Sequence, residues 1–307
     1  MKHLNKDELV SVGIATYGRA EGLRRALKSI TKQKYQNLEI LVSENDSGTA
    51  EIKKIVKKFQ KHDQRIKYFY HKPNRGALFN YNFVLGQAHG KYFMWAADDD
   101  YWAPGFIQKL TIVFKKKPSA GLAMSALKNL KGSKTVERIS FQGRYDPNDQ
   151  NYYRNFVNAL AFPHTKYVYL FCGLYNRSLL VQIFPQLNAV YAVDRYFIIF
   201  LSMIAPILYV HKYLYFRDTH EIQYSNEANY FTWKNEMVGL KKLIRAIVKS
   251  PNIKWYRKLY VPVAIFMLCN RVTMLFLIRL IGYLFKFTIF IPKQLEKLQI
   301  FIAHRYY

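Results

Sequence analysis

The chain has 307 residues, half of them apolar, which is enough to bury a substantial core and more than a single small domain needs. Its 47 Lys+Arg against 20 Asp+Glu give a formal charge of +27, which calls for an anionic partner: nucleic acid, anionic lipid or a phosphorylated substrate. Two cysteines, Cys172 and Cys269, both in apolar surroundings, exclude a disulfide framework and a cysteine-built zinc site and fit a reducing compartment. The opening MKHLNKDELVSV carries charges up to Glu8 and no apolar run before a small-residue cleavage site, so no secretory signal is expected.

Val10 to Ala15, VSVGIA, is a short apolar run ending at Thr16-Tyr17-Gly18. It leads into RAEGLRRALKSI, where Leu23, Ala26, Leu27 and Ile30 recur at helical spacing, so strand, turn and helix follow in that order. The unit repeats. LEILVS (Leu38 to Ser43) passes through ENDSG into TAEIKKIVKKFQ, and IKYFYH passes through KPNRG into ALFNYNFVLGQA. KYFMWAA then runs straight into Asp98-Asp99-Asp100. Strands alternating with helices of this length predict an α/β fold with a doubly wound, mostly parallel central sheet flanked by helices, which binds ligands beyond the carboxyl ends of its strands. Thr16 to Arg19, Glu44 to Ser47, Asn74 to Gly76 and Asp98 to Asp100 all fall at those ends and are expected to share one rim.

Beyond Pro104 the alternation weakens. A helix is expected at Gly105 to Lys116, a strand near Leu122 to Ala126, and a polar connection from Lys128 to Asn151. Apolar segments at Tyr167 to Tyr175 and Ile207 to Phe216 enclose a helical stretch, VDRYFIIFLSMI. From Lys241 onward there are 13 Lys+Arg and one acid, Glu296, interleaved with VPVAIFML, VTMLFLI and LIGYLFKFTIFIP. No window of about 18 residues there is both apolar and uncharged, which disfavours an ordinary transmembrane helix. Arg271, Arg279 and Lys286 would fall within an arc of about 80° on a helix. That pattern reads as an interfacial helix on an anionic membrane, since its apolar arc exceeds the roughly 100° stripe of a soluble surface helix. A core-packing helix whose charged stripe faces water is the plainer reading, and a full span with snorkelling arginines is a third. The expected division is a catalytic domain at 1–225 and a helical, membrane-associating region at 226–307.

Three adjacent carboxylates between Trp95 and Trp102 repel one another, and burial adds to the cost unless a positive charge is shared, so a divalent cation is expected there. On an extended strand end Asp98 and Asp100 would face the same side. Their hard oxygens suit Mg²⁺ or Mn²⁺, and so few protein ligands suit an ion that also holds substrate phosphates. A helix N-cap cluster before Pro104 is the alternative and accounts for one aspartate.

VSVGIATYGRAEGLRRALKSI, LEILVSENDS, NRGALFNYN and YFMWAADDDYWAPGF, in this order and spacing, resemble the successive signatures of family-2 glycosyltransferases, inverting GT-A enzymes that use nucleotide-sugar donors. The likeness is close over the first third of the chain and continues loosely to about residue 220. It implies a DxD element in which Asp98 and Asp100 hold the metal against the donor diphosphate, with Asp98 and Asp99 also contacting the donor. It puts Glu44 where the family has a base-reading aspartate, and Thr16 and Arg19 on the first loop of the nucleotide pocket, where Gly18 replaces the usual asparagine. Arg75 is either a nucleotide contact or a solvated loop charge. Asp194 corresponds by order and separation to the general base that takes the acceptor hydroxyl's proton, with Val193 in place of the usual glutamate; an N-cap is its plainer role. FRDTHEIQYS resembles the Arg-x-His type segment of relatives, so Arg217 and His220 would close over the diphosphate or else serve as ordinary loop residues.

The resemblance implies an inverting, Mn²⁺- or Mg²⁺-dependent glycosyltransferase, peripheral at the cytoplasmic face of a bacterial inner membrane. Its donor would be a UDP-, GDP- or dTDP-sugar and its acceptor a saccharide, free or polyprenyl-diphosphate-linked, in surface polysaccharide assembly. A nucleotidyltransferase is the alternative enzyme, but TYGRAEG does not match the Gly-rich phosphate loop it would favour. A nucleic-acid-binding protein would use the charge, yet no recognised motif for that role appears, and no nucleic-acid partner is expected.

Overall fold

The run VSVGIAT is buried almost throughout because it lies mid-sheet, covered on both faces. It forms β1 (Val10–Thr16), paired in parallel with β2 (Leu38–Asn45) and β4 (Tyr92–Ala97), and β3 (Ile66–His71) adds in parallel beyond β2. This computed structural model describes residues 7–140, 168–187, 193–218, 233–259 and 262. The connecting helices are α1 (Ala20–Thr31), α2 (Glu51–Gln60) and α3 (Ala77–Gly86), and α1 buries Leu23, Ala26, Leu27 and Ile30 as its spacing predicts. Contact between α3 and β1 is close: a Cβ on Gly13 would lie 2.7 Å from a Val84 methyl carbon.

After β4 come β5 (Asp100–Trp102), α4 (Phe106–Lys116), β6 (Leu122–Lys131), β7 (Lys134–Ile139), a 3₁₀ helix (Val168–Cys172), β8 (Leu174–Asn176), α5 (Arg177–Ile183), α6 (Val193–Ile204), β9 (Ile207–Asp218), α7 (Trp233–Lys249) and α8 (Trp255–Lys258). Among the described residues one sheet runs β3-β2-β1-β4-β8-β6-β9-β5, with β7 on β6. The parallel order expected from the alternation holds from β3 to β4. Beyond it, β8 pairs antiparallel with β4 and β6, and β5 antiparallel with β9, while β6 and β9 are parallel.

One expectation for this half is corrected. The stretch from Lys128, expected to be a polar connection, continues β6 to Lys131, turns at Gly132 with φ +62, and returns as β7 to Ile139. β7 is an exposed strand with charged residues on both sides, so no apolar alternation marks it. The apolar segment Tyr167 to Tyr175 holds a 3₁₀ helix, whose Phe171 stacks on Trp95 of β4, and the start of β8, which joins β4 to β6 in the sheet.

Helix α7 lies against α6 so tightly that a Cβ on Gly239 would sit 2.3 Å from the buried Tyr196 ring. Among the described residues no helix is long and apolar enough to cross a membrane. His220, Cys269 and the segment with Arg271, Arg279 and Lys286 lie outside the described residues, and Cys172 is a free thiol.

Candidate active site

The register of the parallel strands builds the rim. Thr16 is level with Glu44, and Glu44 with Tyr70, while Ala15 is level with Ala97, immediately before the aspartates. The strand ends expected to converge are therefore side by side, at the end of the sheet where open α/β folds bind ligands.

The three aspartates do not form the extended strand end expected of them. Asp98 and Asp99 make the turn between β4 and β5, and Asp100 begins β5. Each side of the turn finds its own cation. One Arg19 nitrogen donates to Asp98 at 3.2 Å and to Asp99 at 2.8 Å. Asp100 lies 3.9 Å from Arg217 Nε and accepts a hydrogen bond from the Tyr215 hydroxyl. The strand pairing explains this, since antiparallel β5 and β9 set Asp100 opposite Arg217 and Trp102 opposite Tyr215. The flanking aromatics lock the turn: Trp102 stacks on Tyr215 at 5.7 Å, and Trp95 stacks on Phe171 of the 3₁₀ helix at 4.5 Å.

Burial pushes the Asp98 carboxyl up to about 6, against the pull of Arg19 and with the added push of Asp99. Burial and then Asp99 push Asp100 up to about 7, against Arg217 and the Tyr215 hydrogen bond. Three carboxylates thus face two guanidinium groups, and further positive charge would be favourable here. Buried hard oxygens of this kind fit Mg²⁺ or Mn²⁺. Among the described residues no group of three or more His, Cys, Asp or Glu is placed to hold a metal ion.

Across the rim Glu44 is buried and accepts from the Tyr68 hydroxyl and, at 3.5 Å, from Ser47. Burial holds its carboxyl above the ordinary range despite the Tyr68 bond. The Arg75 guanidinium lies 3.8 Å over the Phe79 ring. Its loop is braced by Asn45, which accepts from the Arg75 N–H at 3.3 Å and donates to the Gly76 carbonyl at 3.0 Å. Gly76, at φ +83, occupies the left-handed region that favours glycine. Asn80 ties β1 to β2 by donating to the Thr16 carbonyl at 3.3 Å and accepting from Ser43 at 2.6 Å.

Asp194 lies inside the first turn of α6. Burial first, and then the neighbouring charges of Cys172, Asp98, Asp194 and Asp99, push the phenol of the half-buried Tyr81 up. Cys172 packs in the same place, its thiol pushed up to about 12 by burial and next by Asp100. Tyr215, Tyr81, Cys172 and Tyr68 are the site residues that sequence reasoning missed. Only Tyr215 carried a usable signal, two residues before Arg217 and so on the same strand face.

A parallel half-sheet whose carboxyl ends gather an acidic turn between two arginines is the architecture of a GT-A fold. The description "Glycosyl transferase family 2" matches residues 11–184, more than half of the chain, and the chain belongs to that family. It is 37% identical over 102 residues to the GalNAc(5)-diNAcBac-PP-undecaprenol beta-1,3-glucosyltransferase of Campylobacter jejuni, a match covering 33% of each chain. It is 26% identical over 232 residues to an uncharacterised glycosyltransferase of Rickettsia typhi, covering 74% of this chain and 69% of that one. The chain thus spans a third of the length of the first relative and about two thirds of the second. In fold it is similar to S. aureus TarS 1-349 in complex with UDP-GlcNAc, with a TM-score of 0.64 at 16% identity over 86% of this chain and 72% of that one. It is also similar to the mannosyltransferase PcManGT from Pyrobaculum calidifontis in complex with GDP-Man and Mn²⁺, with a TM-score of 0.54 at 14% identity over 99% and 82%.

Proposed function

We propose that the chain is an inverting glycosyltransferase that moves a sugar from a nucleotide-sugar donor to a lipid-linked saccharide in bacterial surface polysaccharide assembly. The observation that supports this most is the aspartate turn held between Arg19 and Arg217 on the same rim as Thr16 and Glu44. In this reading Thr16, Arg19, Glu44 and Arg75 hold the nucleoside, Asp98 and Asp99 contact the donor, and Asp98 and Asp100 would hold Mn²⁺ or Mg²⁺. The ion, when bound, supplies positive charge against the diphosphate.

Asp194 takes the proton of the acceptor hydroxyl as its oxygen bonds to the anomeric carbon. The bond from that carbon to the diphosphate oxygen breaks with its electron pair, and the charge left on the nucleoside diphosphate is met by Arg217, with His220 as its companion. A UDP-, GDP- or dTDP-sugar fits these groups as donor. The Campylobacter relative, named for a PP-undecaprenol substrate, supports a polyprenyl-diphosphate-linked acceptor. Such an acceptor would place the enzyme peripherally at the cytoplasmic face of the inner membrane, held by region 226–307.

The test is divalent-ion-dependent nucleotide release from a donor panel, with and without bacterial lipid extract, for the wild type, Asp100→Ala and Asp194→Asn. Release from one donor, stimulated by lipid and lost in both variants, is expected. Release that survives Asp194→Asn would remove the base assignment, and no turnover with any donor would remove the function.

A further inference from the structure

Half of the large hydrophobic side chains exposed among the described residues lie between Met237 and Leu259, far along the chain from the nucleotide rim. Trp255 is 74% exposed and Leu259 61%, and Tyr256, Val248, Val238 and Met237 are open as well. Soluble surfaces rarely concentrate such groups, and Trp is the side chain best suited to a membrane interface. The inner face of α7 is satisfied already, since Leu243, Ala246 and Ile247 are buried and Gly239 meets Tyr196. Met237, Lys241, Arg245 and Val248 recur at helical spacing on the opposite, exposed side.

Charge decides the partner. Residues 233–259 carry eight Lys+Arg against one acid, Glu236. Lys241, Arg245, Lys249 and Lys254 are exposed among the apolar groups. The short helix α8 is fixed beside this face, because Lys258 Nζ donates to the Val248 carbonyl at 2.6 Å, near the carboxyl end of α7. Lys254 lies 5.9 Å from the Tyr256 ring. Aromatic and aliphatic groups ringed by lysines match the acyl boundary and the anionic headgroups of one leaflet together.

We propose that the outer face of α7 with the Trp255 to Leu259 turn is a docking surface for an anionic lipid bilayer. It rests on the reading that the enzyme works at a membrane, and assigns the contact to this folded surface as distinct from the basic tail beyond it.

The full-length protein with Trp233→Phe provides the test, because Trp95 and Trp102 are buried and Trp255 then reports the surface. Vesicles of phosphatidylcholine with phosphatidylglycerol should blue-shift its fluorescence, and brominated acyl chains should quench it. Trp255→Ser/Leu259→Ser and, separately, Lys241→Glu/Arg245→Glu should each weaken vesicle binding about tenfold or more, while lipid-free donor release is unchanged. Raising salt from about 0.1 M to about 0.5 M should weaken the wild type and leave the charge variant little changed.

Lack of quenching, or wild-type affinity in both variants, would overturn the proposal. Protection of Trp255 from iodide without lipid would do so too, because the chain itself or a second copy would then cover the face. Vesicle binding with quenched Trp255 but no turnover of any donor would leave the surface standing and remove the catalytic reading, and donor turnover with Trp255 unquenched would do the reverse.

Discussion

Tyr215 holds Asp100 by one hydroxyl while its ring stacks on Trp102, so the two roles separate in one substitution. Tyr215→Phe keeps the stack and removes the donor to a buried carboxylate, a loss of about 1.5–3 kcal/mol. The expected result is a roughly 10- to 100-fold fall in kcat/KM for donor turnover, with Tm lowered by several degrees by the unpaired carboxylate. Unchanged kinetics would reduce Tyr215 to packing. On the other side of the rim, the Tyr68 bond opposes the burial that raises the Glu44 pKa. In Tyr68→Phe that pKa rises further, so more of Glu44 is protonated at a given pH. If Glu44 reads the base, donor KM should rise, most strongly toward acid pH, with kcat nearly constant; a KM profile parallel to wild type would sink that role. Asp98 to Asp100 and Glu44 were legible as acids placed at strand ends in a basic chain. Cys172 was not, and Tyr215 only by its spacing from Arg217, because their meaning comes from meeting Asp100 across long sequence separations.

At the scale of elements, the sheet end opposite the rim is pinned by Glu39 of β2. It accepts from Ser11 of β1 and from the His89 backbone N–H, each at 2.6 Å, and from Lys67 of β3 at 3.3 Å. Burial works against the charge, but these donors hold the Glu39 carboxyl below its ordinary range. A depressed folded-state pKa contributes stability above the unfolded value of about 4.3 and loses it as pH falls through the folded one. Glu39→Gln should therefore cost about 1–3 kcal/mol at neutral pH. The gap to wild type in urea unfolding should shrink below about pH 4, and a pH-independent gap would contradict the ionic role. Elsewhere, Gly239→Ala would drive a methyl into Tyr196, which is buried and cannot swing clear. A destabilisation of about 1–3 kcal/mol is expected in denaturant melts. Because Asp194 sits in the first turn of the displaced α6, kcat should fall more than the donor KM rises. A substitution tolerated in both measurements would mean that α7 does not brace the site.

For the whole molecule, the proposed function gives the +27 charge and the three-carboxylate turn one task, binding phosphates through cations. A nucleoside diphosphate that binds only the folded state stabilises it by about 2.7 kcal/mol at a hundredfold excess over Kd. Among UDP, GDP and dTDP, one should raise Tm by several degrees, more so with Mn²⁺, and Asp100→Ala should lose the Mn²⁺ increment while keeping part of the nucleotide shift. Equal shifts in wild type and variant would place the ion elsewhere.

The sequence alone determined that the first four strands form a parallel sheet, with its helices and with polar residues gathered at its carboxyl ends. Strand and helix periodicity and turn chemistry are local properties, and a parallel sheet converts them into a rim whatever follows. Tertiary structure decided what lies beyond β4. The β7 return, the 3₁₀ helix and the three-residue strands β5 and β8 are short or polar on both sides, and they exist because neighbours pair with them or bury them. It also decided that Asp98 and Asp99 share Arg19 while Asp100 faces β9. Three identical side chains in a row carry no information about which long-range partner each will meet; that follows from the register of β5 on β9.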